Sequence, residues 1–449
     1  MRPRLKGFRL ELTGALAILT IVSPLPTRAQ ATPDSLRAQL ERLASQVDSL
    51  SEEVARLRRA ESEASTRDEL DRLRAAAAAA AAGAAPTEEE DQEFVGQQRS
   101  LQALNPEISV NADVFGQVDK DDAREQNFFA REFEISLVSN LDPFSRAKIF
   151  VSRHEGGGEI SPFPDDPGHD EHGGGFGVEE GYVEWVGLPG GIGLKLGKFY
   201  QQFGQLNRWH AHALPSQARS LPHLAYIGEE ALTQTGASIH WLAPFGGGVG
   251  VYEATVELTR SENEVLFGSS GRPAVLGHLN AFWSLSPALD LDLGLSWMNG
   301  SYEDETAFLD RNLLGAEVAF TWRPPERSLY RGFALRAGVM ALDGLLPVEP
   351  AGGGTPEPLS DRAWGYWGAG ELRLSQRWLV GARADRVESP MDPTRTAWLA
   401  APTLTWWQSE YVRLRLEYDV LGRSHKSRVE GRLLLQVTFA MGPHKHESY

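Results

Sequence analysis

Apolar and polar residues alternate along much of the chain beyond residue 106. In residues 288–297, five apolar side chains would share one face of an extended strand, while aspartate, glycine and serine residues occupy the other. Successive side chains of a β-strand point to opposite faces, so this period of two predicts strands with one apolar and one polar face. We count about 16 such segments between residues 106 and 441, and single-chain bacterial barrels have an even number of strands.

Strand length and aromatic placement distinguish a membrane barrel from a soluble β-sandwich, whose strands also alternate. The segments run for about 9 to 12 residues, whereas strands of soluble proteins average about 5 to 6. Aromatic residues recur near the predicted strand ends, as in the interfacial girdles of membrane barrels. They are Tyr182, Trp185, Tyr200, Trp241, Trp283, Trp297, Trp322, Tyr330, Trp364, Trp378, Trp406 and Trp407. We therefore predict an all-β transmembrane barrel of about 16 antiparallel strands over residues 106–449.

The first 29 residues have the order of a secretory signal peptide. Four basic residues lie between positions 2 and 9, an apolar stretch covers residues 10–22, and residues 27–29 read Thr-Arg-Ala, a small-x-Ala cleavage site. The apolar stretch is too short to span a membrane as a stable anchor. We predict a signal peptide over residues 1–29 and a mature chain that begins near Gln30; an uncleaved amphipathic anchor is the alternative.

A strict heptad repeat follows the predicted signal peptide. Its apolar residues are spaced alternately by four and three: Leu36, Leu40, Leu43, Val47, Leu50, Val54 and Leu57. This pattern predicts a short α-helical coiled coil, which we assign to residues 30–74 in the periplasm. Valine at position a with leucine at position d favours two chains, whereas a trimeric barrel would require three, so dimer and trimer both stay open. An Ala-rich and then acidic stretch predicts a linker over residues 75–105.

Charged residues fall on the polar face of the predicted strands, which would line the lumen. The candidate pore-lining residues are Glu132, Glu134, Glu253, Glu257, Asp290, Asp292, Arg336, Arg383, Asp385, Arg413, Arg415 and Glu417. Because lining charge sets the ion preference of a pore, this set predicts a weak cation preference or none. The alternative is that acidic loops supply the negative charge and the lumen is balanced. The formal net charge of −17 argues against a nucleic-acid partner.

Histidine and acidic residues concentrate in two segments. A Gly-rich loop begins at residue 154, and His210 and His212 lie two apart, so both would face the same side of an extended strand. Imidazole and carboxylate groups together suit zinc, nickel or copper. The candidate metal ligands are His154, His169, Asp170, His172, His210 and His212. We expect no required cofactor and hypothesise a loosely bound Zn²⁺ at the pore mouth; the alternative is a polar extracellular loop that binds nothing specifically.

Residues 181–207, GYVEWVGLPGGIGLKLGKFYQQFGQLN, resemble the phosphate-selective porin O and P superfamily. Residues 207–215 and 235–244 are more closely similar to a group of zinc-regulated outer-membrane proteins, which also carry a His-rich early loop and a Gly-Pro-His tail like residues 442–444. The resemblance implies a trimeric porin of about 16 strands. Some members of that group are labelled TonB-dependent receptors, but this chain has no room for a plug domain and about 22 strands, so we discount TonB coupling.

These observations predict a porin-like channel in the bacterial outer membrane, with its N-terminal segment in the periplasm. It would pass small solutes or ions by passive diffusion, contact outer-membrane lipids and form a homo-oligomer. The sequence has no cysteine and lacks the Gly-x-Ser-x-Gly, His-Glu-x-x-His and Walker A motifs, so we expect no enzymatic activity. The alternatives are a plugged barrel that tethers the outer membrane and a barrel enzyme whose groups come from distant strands.

Overall fold

The computed structural model describes the part of the chain that contains the predicted barrel. The described residues are 106–120, 127–154, 160–164, 175–229, 231–244, 250–268, 270–303, 308–345 and 362–442. The chain divides into two compact units, residues 1–93 and 94–449, and every described residue belongs to the second. The predicted signal peptide, coiled coil and linker all lie outside the described residues.

Sixteen antiparallel strands close into a barrel in the described residues, which confirms the predicted fold class of this region. Each strand pairs with its neighbours in the sequence, and the last strand pairs with the first. The strands are β1 Glu107–Asp119, β2 Asn127–Asn140, β3 Ser145–His154, β4 Phe176–Leu188, β5 Ile192–Tyr200, β6 Thr233–Leu242, β7 Gly250–Arg260, β8 Pro273–Ser286, β9 Leu289–Glu303, β10 Phe308–Trp322, β11 Gly332–Asp343, β12 Ala363–Arg373, β13 Trp378–Glu388, β14 Thr396–Trp407, β15 Val412–Arg423 and β16 Glu430–Met441.

The apolar face of the strands points outward and the polar face points into the lumen. In β9, Leu295 is 58% exposed on the outside, whereas its neighbour Ser296 is 7% exposed on the inside. In β2, Ile135 is likewise exposed and Glu134 is buried. A soluble barrel would bury its apolar face, so this arrangement requires an apolar medium around the barrel.

The two ends of the barrel differ. The start of β1 pairs with the end of β16, so both ends of the described chain lie at one end, together with the short turns such as that between β4 and β5. We call this the turn end and the opposite one the loop end. Exposed aromatic side chains ring the turn end (Phe144, Trp241, Tyr330, Trp378, Tyr411) and the loop end (Phe128, Phe176, Phe308, Trp364, Tyr366, Trp398, Tyr418). Such rings mark the interfaces of a membrane.

Three of the aromatic residues assigned to a girdle from the sequence, Tyr182, Tyr200 and Trp407, do not belong to it. Tyr182 and Tyr200 are 5% and 9% exposed and point into the lumen. Proximity to a strand end is readable from the sequence, but the face is set by strand register. A register shift lies between β3 and β4 in this region.

Short helices lie in the connections at the loop end. They are α1 Leu221–Tyr226, α2 Glu264–Phe267 and two 3₁₀ turns, Leu206–Arg208 and Ala211–Ala213; a third, Pro325–Arg327, lies at the turn end. The helices in the described part of the chain lack the length and apolar character that a membrane span requires.

A hydrophobic core fills part of the lumen at the loop end, which the sequence did not predict. The helices α1 and α2, with Phe163 and Phe203 from the loops, pack against inward-facing apolar residues of the wall. These wall residues include Leu276, Met298, Leu313, Met340, Val387, Leu399 and Leu421. The fit is close, because a Cβ atom at Gly365 of β12 would lie 2.6 Å from Pro222 of α1. The loops are therefore packed parts of the barrel interior.

Candidate functional site in the barrel lumen

Residues 201–232, which connect β5 to β6, fold into the lumen, and we call them the lumen loop. The chain turns inward at Gly204, where φ is +67° and a Cβ atom would overlap the carboxylate of Glu317 on β10. The backbone N–H of Gly204 donates to Ser296 Oγ at 3.1 Å, and that of Gln205 donates to Glu317 Oε2 at 2.7 Å. A glycine is required here because other residues are strained at this φ.

Wall arginines hold the middle of the lumen loop through its carbonyl oxygens. Arg413 donates to the carbonyl oxygen of His212 at 2.5 Å, and Arg415 donates to that of Leu214 at 2.9 Å. Arg383 donates to Ser216 Oγ at 2.8 Å and to a carbonyl oxygen of the loop at 3.2 Å. Hydrogen bonds from a charged donor contribute about 1.5 to 3 kcal/mol each, so this row fixes the loop across the lumen.

Wall carboxylates hold the backbone N–H groups of the same loop. Asp385 accepts from the N–H of Leu221 at 3.0 Å, and Glu417 accepts from that of Gln217 at 2.8 Å. Glu257 on β7 accepts from Gln201 Nε2 at 3.1 Å. The loop is therefore tied to strands on opposite sides of the barrel.

These contacts separate the predicted pore-lining residues into groups. Five are buried against the lumen loop and anchor it, so they do not form a free pore surface: Glu257, Arg383, Asp385, Arg415 and Glu417. Arg413 anchors the loop and also lines a cavity. Asp290, Asp292 and Arg336 line the same cavity. Glu132 and Glu134 belong to a separate cluster, and Glu253 is half-buried on the wall. No pattern in the sequence indicates that the lumen contains a loop for these charges to bind.

A chamber of about 540 Å³ lies between the lumen loop and the wall toward the turn end. Cationic side chains outnumber acidic ones among the described residues that line it: Lys195, Arg208, Arg323, Arg336 and Arg413 against Glu180, Asp290 and Asp292. Tyr182, Trp209 and Trp407 add aromatic surface, and the Arg336 guanidinium lies 5.2 Å from the Trp209 ring centroid. Trp407, which the sequence assigned to a girdle, thus lines the lumen. The chamber can hold a small polar or charged solute.

At the edge of the chamber, three histidines meet four carboxylates. We call Glu132, Glu134, Glu179, Glu180, His154, His210 and His212 the histidine–carboxylate cluster. The distances are 2.6 Å from His210 Nδ1 to Glu134 Oε2 and 3.0 Å from the same nitrogen to Glu179 Oε2. His210 Nε2 lies 3.3 Å from Glu180 Oε2. His154 Nε2 lies 2.7 Å from Glu179 Oε1, and His212 Nδ1 lies 3.4 Å from Glu132 Oε2.

Two register shifts place the carboxylates of the cluster. Between β3 and β4, Phe150 pairs with Glu180 and Val151 with Val178, so Glu179 is an extra residue. Between β1 and β2, Asp113 pairs with Glu132 and Phe115 with Phe129, which leaves an extra residue beside Arg131. Neighbours in a regular strand face opposite sides, but a bulge re-aims one of them. Glu179 and Glu180 can therefore both reach His210.

The structure brings together three of the six predicted metal ligands, His154, His210 and His212. The other three, His169, Asp170 and His172, lie outside the described residues. The expectation that His210 and His212 share an extended strand is wrong: His210 immediately precedes the 3₁₀ turn Ala211–Ala213 of the lumen loop, and His212 lies within that turn. Their rings are nevertheless 5.7 Å apart, because the turn brings both side chains to the same wall.

The sequence reasoning missed Glu179 and Glu180 as site residues. Their signal was available, since consecutive acids within a membrane strand would place one of them in lipid unless a bulge turns it inward.

The histidines of the lumen loop differ in protonation. Burial disfavours the charged imidazole of His210, but the carboxylate of Glu134 outweighs this effect and holds the pKa of His210 well above its usual value. The same balance of burial and Glu132 raises the pKa of His212. By contrast, burial and the positive charges of Arg219 and Arg383 lower the pKa of His223 to about 3. The cluster therefore favours positive charge at its centre, whereas His223 stays neutral beside α1.

Comparisons with known proteins are consistent with this architecture. OprB of Pseudomonas putida, in a structure determined at high pH, is 12% identical; the similarity covers 77% of this chain and 96% of that chain, with a TM-score of 0.52. OmpF of Salmonella typhi, in complex with daunomycin, is 7% identical over 76% of this chain and 99% of that chain, with a TM-score of 0.51. At these identities the similarity shows the fold alone.

Sequence comparison provides less information about the chain than structural comparison does. No protein-family model matches the chain. An uncharacterized protein of Aquifex aeolicus is 38% identical over 95 residues, which are 21% of this chain and 19% of that protein. The matched stretch thus spans about a fifth of that relative's length. The described residues thus form a closed antiparallel barrel of sixteen strands with a loop folded into its lumen.

Proposed function

We propose that this chain is an outer-membrane channel for the passive diffusion of small polar or charged solutes, with the lumen loop as its constriction. One observation carries the proposal: the barrel combines an apolar outer wall with a charged inner chamber that the lumen loop borders. An apolar outer wall suits lipid, and a charged chamber suits water and dissolved solutes. In this orientation the short turns face the periplasm, as they do in bacterial barrels.

The chamber supports a weak preference for small anions. Five cationic side chains face three acidic ones among its described lining residues. This differs from the weak cation preference expected from the whole polar face, because several acids of that face are occupied with the loop backbone. Selectivity follows the charges that a solute meets, so anchored carboxylates contribute less.

Planar-bilayer recording of the purified full-length protein tests the proposal. A channel gives stepwise conductance, and under a KCl gradient the reversal potential reports the preferred ion. Arg336→Gln removes one positive charge from the chamber lining and should shift the reversal potential toward cations. Arg377→Gln, in an exposed turn, is the matched control. Ion-tight bilayers with correctly folded protein would refute the channel.

A closed barrel is the second candidate function, and the packing of α1 favours it. The apolar residues of α1 are buried against β12, β13 and β14 at the loop end, where they fill part of the lumen. A closed barrel would serve as an outer-membrane tether through the predicted coiled coil. Absence of conductance in the wild type, with conductance restored by a variant that releases the loop, would select this function.

We also propose a homo-oligomer, a trimer or alternatively a dimer, formed through the barrel wall and the predicted coiled coil. Native mass spectrometry in detergent measures the number of chains. Leu43→Asp with Leu50→Asp disrupts the heptad seam, and a lower chain number in this variant would assign the coiled coil a role in assembly. An unchanged number of chains in the variant would show that the barrel wall is sufficient for assembly. A monomeric wild type would refute the oligomer.

A further inference from the structure

The histidine–carboxylate cluster has a donor set that the channel function does not use. One atom each from Glu132, Glu134, Glu179 and His210 lies within 4.8 Å of the other three. They come from β2, β4 and the lumen loop, so the fold has brought together groups that are distant in the sequence. Four donors this close could surround one small cation.

The charges of the cluster call for a cation at its centre. Two arginines in this part of the lumen are engaged elsewhere: Arg131 with Asp113, and Arg219 with the carbonyl oxygens of Leu206 and Trp209. Buried carboxylates are stable only when they are paired or bind a metal. The groups that face them in the described residues are chiefly imidazoles, which are themselves metal ligands.

Glu132 provides a second, independent observation. Its side chain is 1% exposed, and neither carboxylate oxygen has a hydrogen-bond partner among the described residues. His212 Nδ1 lies 3.4 Å from its Oε2 atom. Polar groups this deeply buried are almost always satisfied, so an acceptor-only group aimed into the cluster indicates a missing partner.

The surrounding residues orient two of the donors. Asn111 Nδ2 donates to Glu134 Oε1 at 2.9 Å, which leaves Oε2 directed toward His210. Tyr200 Oη donates to Glu179 Oε2 at 2.9 Å. Partners of this kind fix the carboxylates of metal sites. Glu180, Tyr200, His210 and His212 also line the chamber, so an ion could reach the site from the lumen.

We propose that Glu134, Glu179 and His210, with Glu132 as the fourth donor, bind one divalent transition-metal ion of the zinc class. The mixed donor set selects this class, because imidazole nitrogen suits Zn²⁺ whereas Ca²⁺ and Mg²⁺ prefer oxygen alone. Zinc bonds of about 2.0 to 2.2 Å require the four donor atoms to draw together by small side-chain movements. The ion would join the lumen loop to β2 and β4.

Isothermal titration of the metal-stripped full-length protein with ZnCl₂ tests the site, with MgCl₂ and CaCl₂ as comparison ions. We expect about one Zn²⁺ per chain. His210→Ala and the isosteric Glu179→Gln should each weaken Zn²⁺ binding by more than about tenfold. Loss of a residue that only orients a metal ligand already weakens binding by about tenfold, and loss of a ligand should cost more. Heat-modifiable migration in gels verifies that each barrel is folded.

Two controls locate the ion. His278→Ala removes a buried lumen histidine that bonds Ser296 outside the cluster and should leave binding unchanged. His169→Ala with His172→Ala removes the loop histidines predicted from the sequence and should also leave it unchanged. X-ray absorption of the zinc-loaded protein should show one nitrogen and several oxygen ligands. The proposal would be overturned if both His210→Ala and Glu179→Gln bind Zn²⁺ as tightly as the wild type. It would also be overturned if the wild type binds Mg²⁺ and Ca²⁺ as tightly as Zn²⁺.

Discussion

Removing the Arg383 side chain should release the lumen loop without unfolding the barrel. Arg383 is buried, pairs with Asp385 at 3.3 Å and donates to several acceptors of the loop. In Arg383→Ala these acceptors lose their donor, and Asp385 keeps a buried charge without its partner. Breaking a buried pair in this way costs about 3 to 5 kcal/mol. Since about 1.4 kcal/mol is tenfold in an equilibrium, the undocked population should rise by at least about 100-fold.

Amide hydrogen exchange followed by mass spectrometry measures this release. Peptides of α1 should lose protection by about 100-fold or more, because their amides exchange through undocking of the loop. Peptides of β1 and β16 should keep theirs. Arg386→Ala is the matched control, since Arg386 lies on the same strand and faces outward. Unchanged protection of α1 in Arg383→Ala would show that the arginine row does not hold the loop.

Three further outcomes are expected. Leu295→Arg, on the outer face, should destabilise the folded barrel by about 2 to 4 kcal/mol in urea titrations with lipid, whereas Leu295→Phe should not; equal stability would place this face away from lipid. Gly204→Val should displace the start of the lumen loop, because the new side chain meets Glu317, and chymotrypsin should then cleave the loop faster than in wild type; unchanged cleavage would contradict the close approach. His223 has a folded pKa of about 3, below its unfolded value of about 6.5, so its own contribution to loop docking is complete above pH 6.5 and falls by roughly 2 kcal/mol on acidification to pH 5. His210 and His212 act in the opposite direction because their pKa values are raised, so the His223 contribution is the difference between wild type and His223→Gln. Hydrogen exchange of His223→Gln at both pH values should lack this change, and equal pH dependence in the two proteins would refute it.

The channel and metal proposals are separable. The bilayer experiment tests whether solutes pass, and the zinc titration tests binding in the absence of any flux. If both hold, Zn²⁺ would stabilise the docked lumen loop through its bonds to β2 and β4, and added Zn²⁺ should reduce exchange of residues around His210.

The barrel could be predicted because its signal is local. Alternation within β9 and β15 can be read residue by residue, and each strand needs only its own sequence to define two faces. The strand number followed from counting these segments. The inward face of Tyr182 could not be predicted, because it depends on a register that a bulge between β3 and β4 shifts.

The alternation and length of the strands were enough to predict a barrel of about 16 strands and the inward direction of most of its charges, since a period of two at this strand length has few other stable solutions. The role of those charges follows from the tertiary structure alone. Arg383, Arg415 and Glu417 bind a loop instead of facing open water, and His210 meets Glu134 and Glu179 only because that loop crosses the lumen. These contacts join segments far apart in the chain, and no local pattern encodes which wall residues an inserted loop will reach.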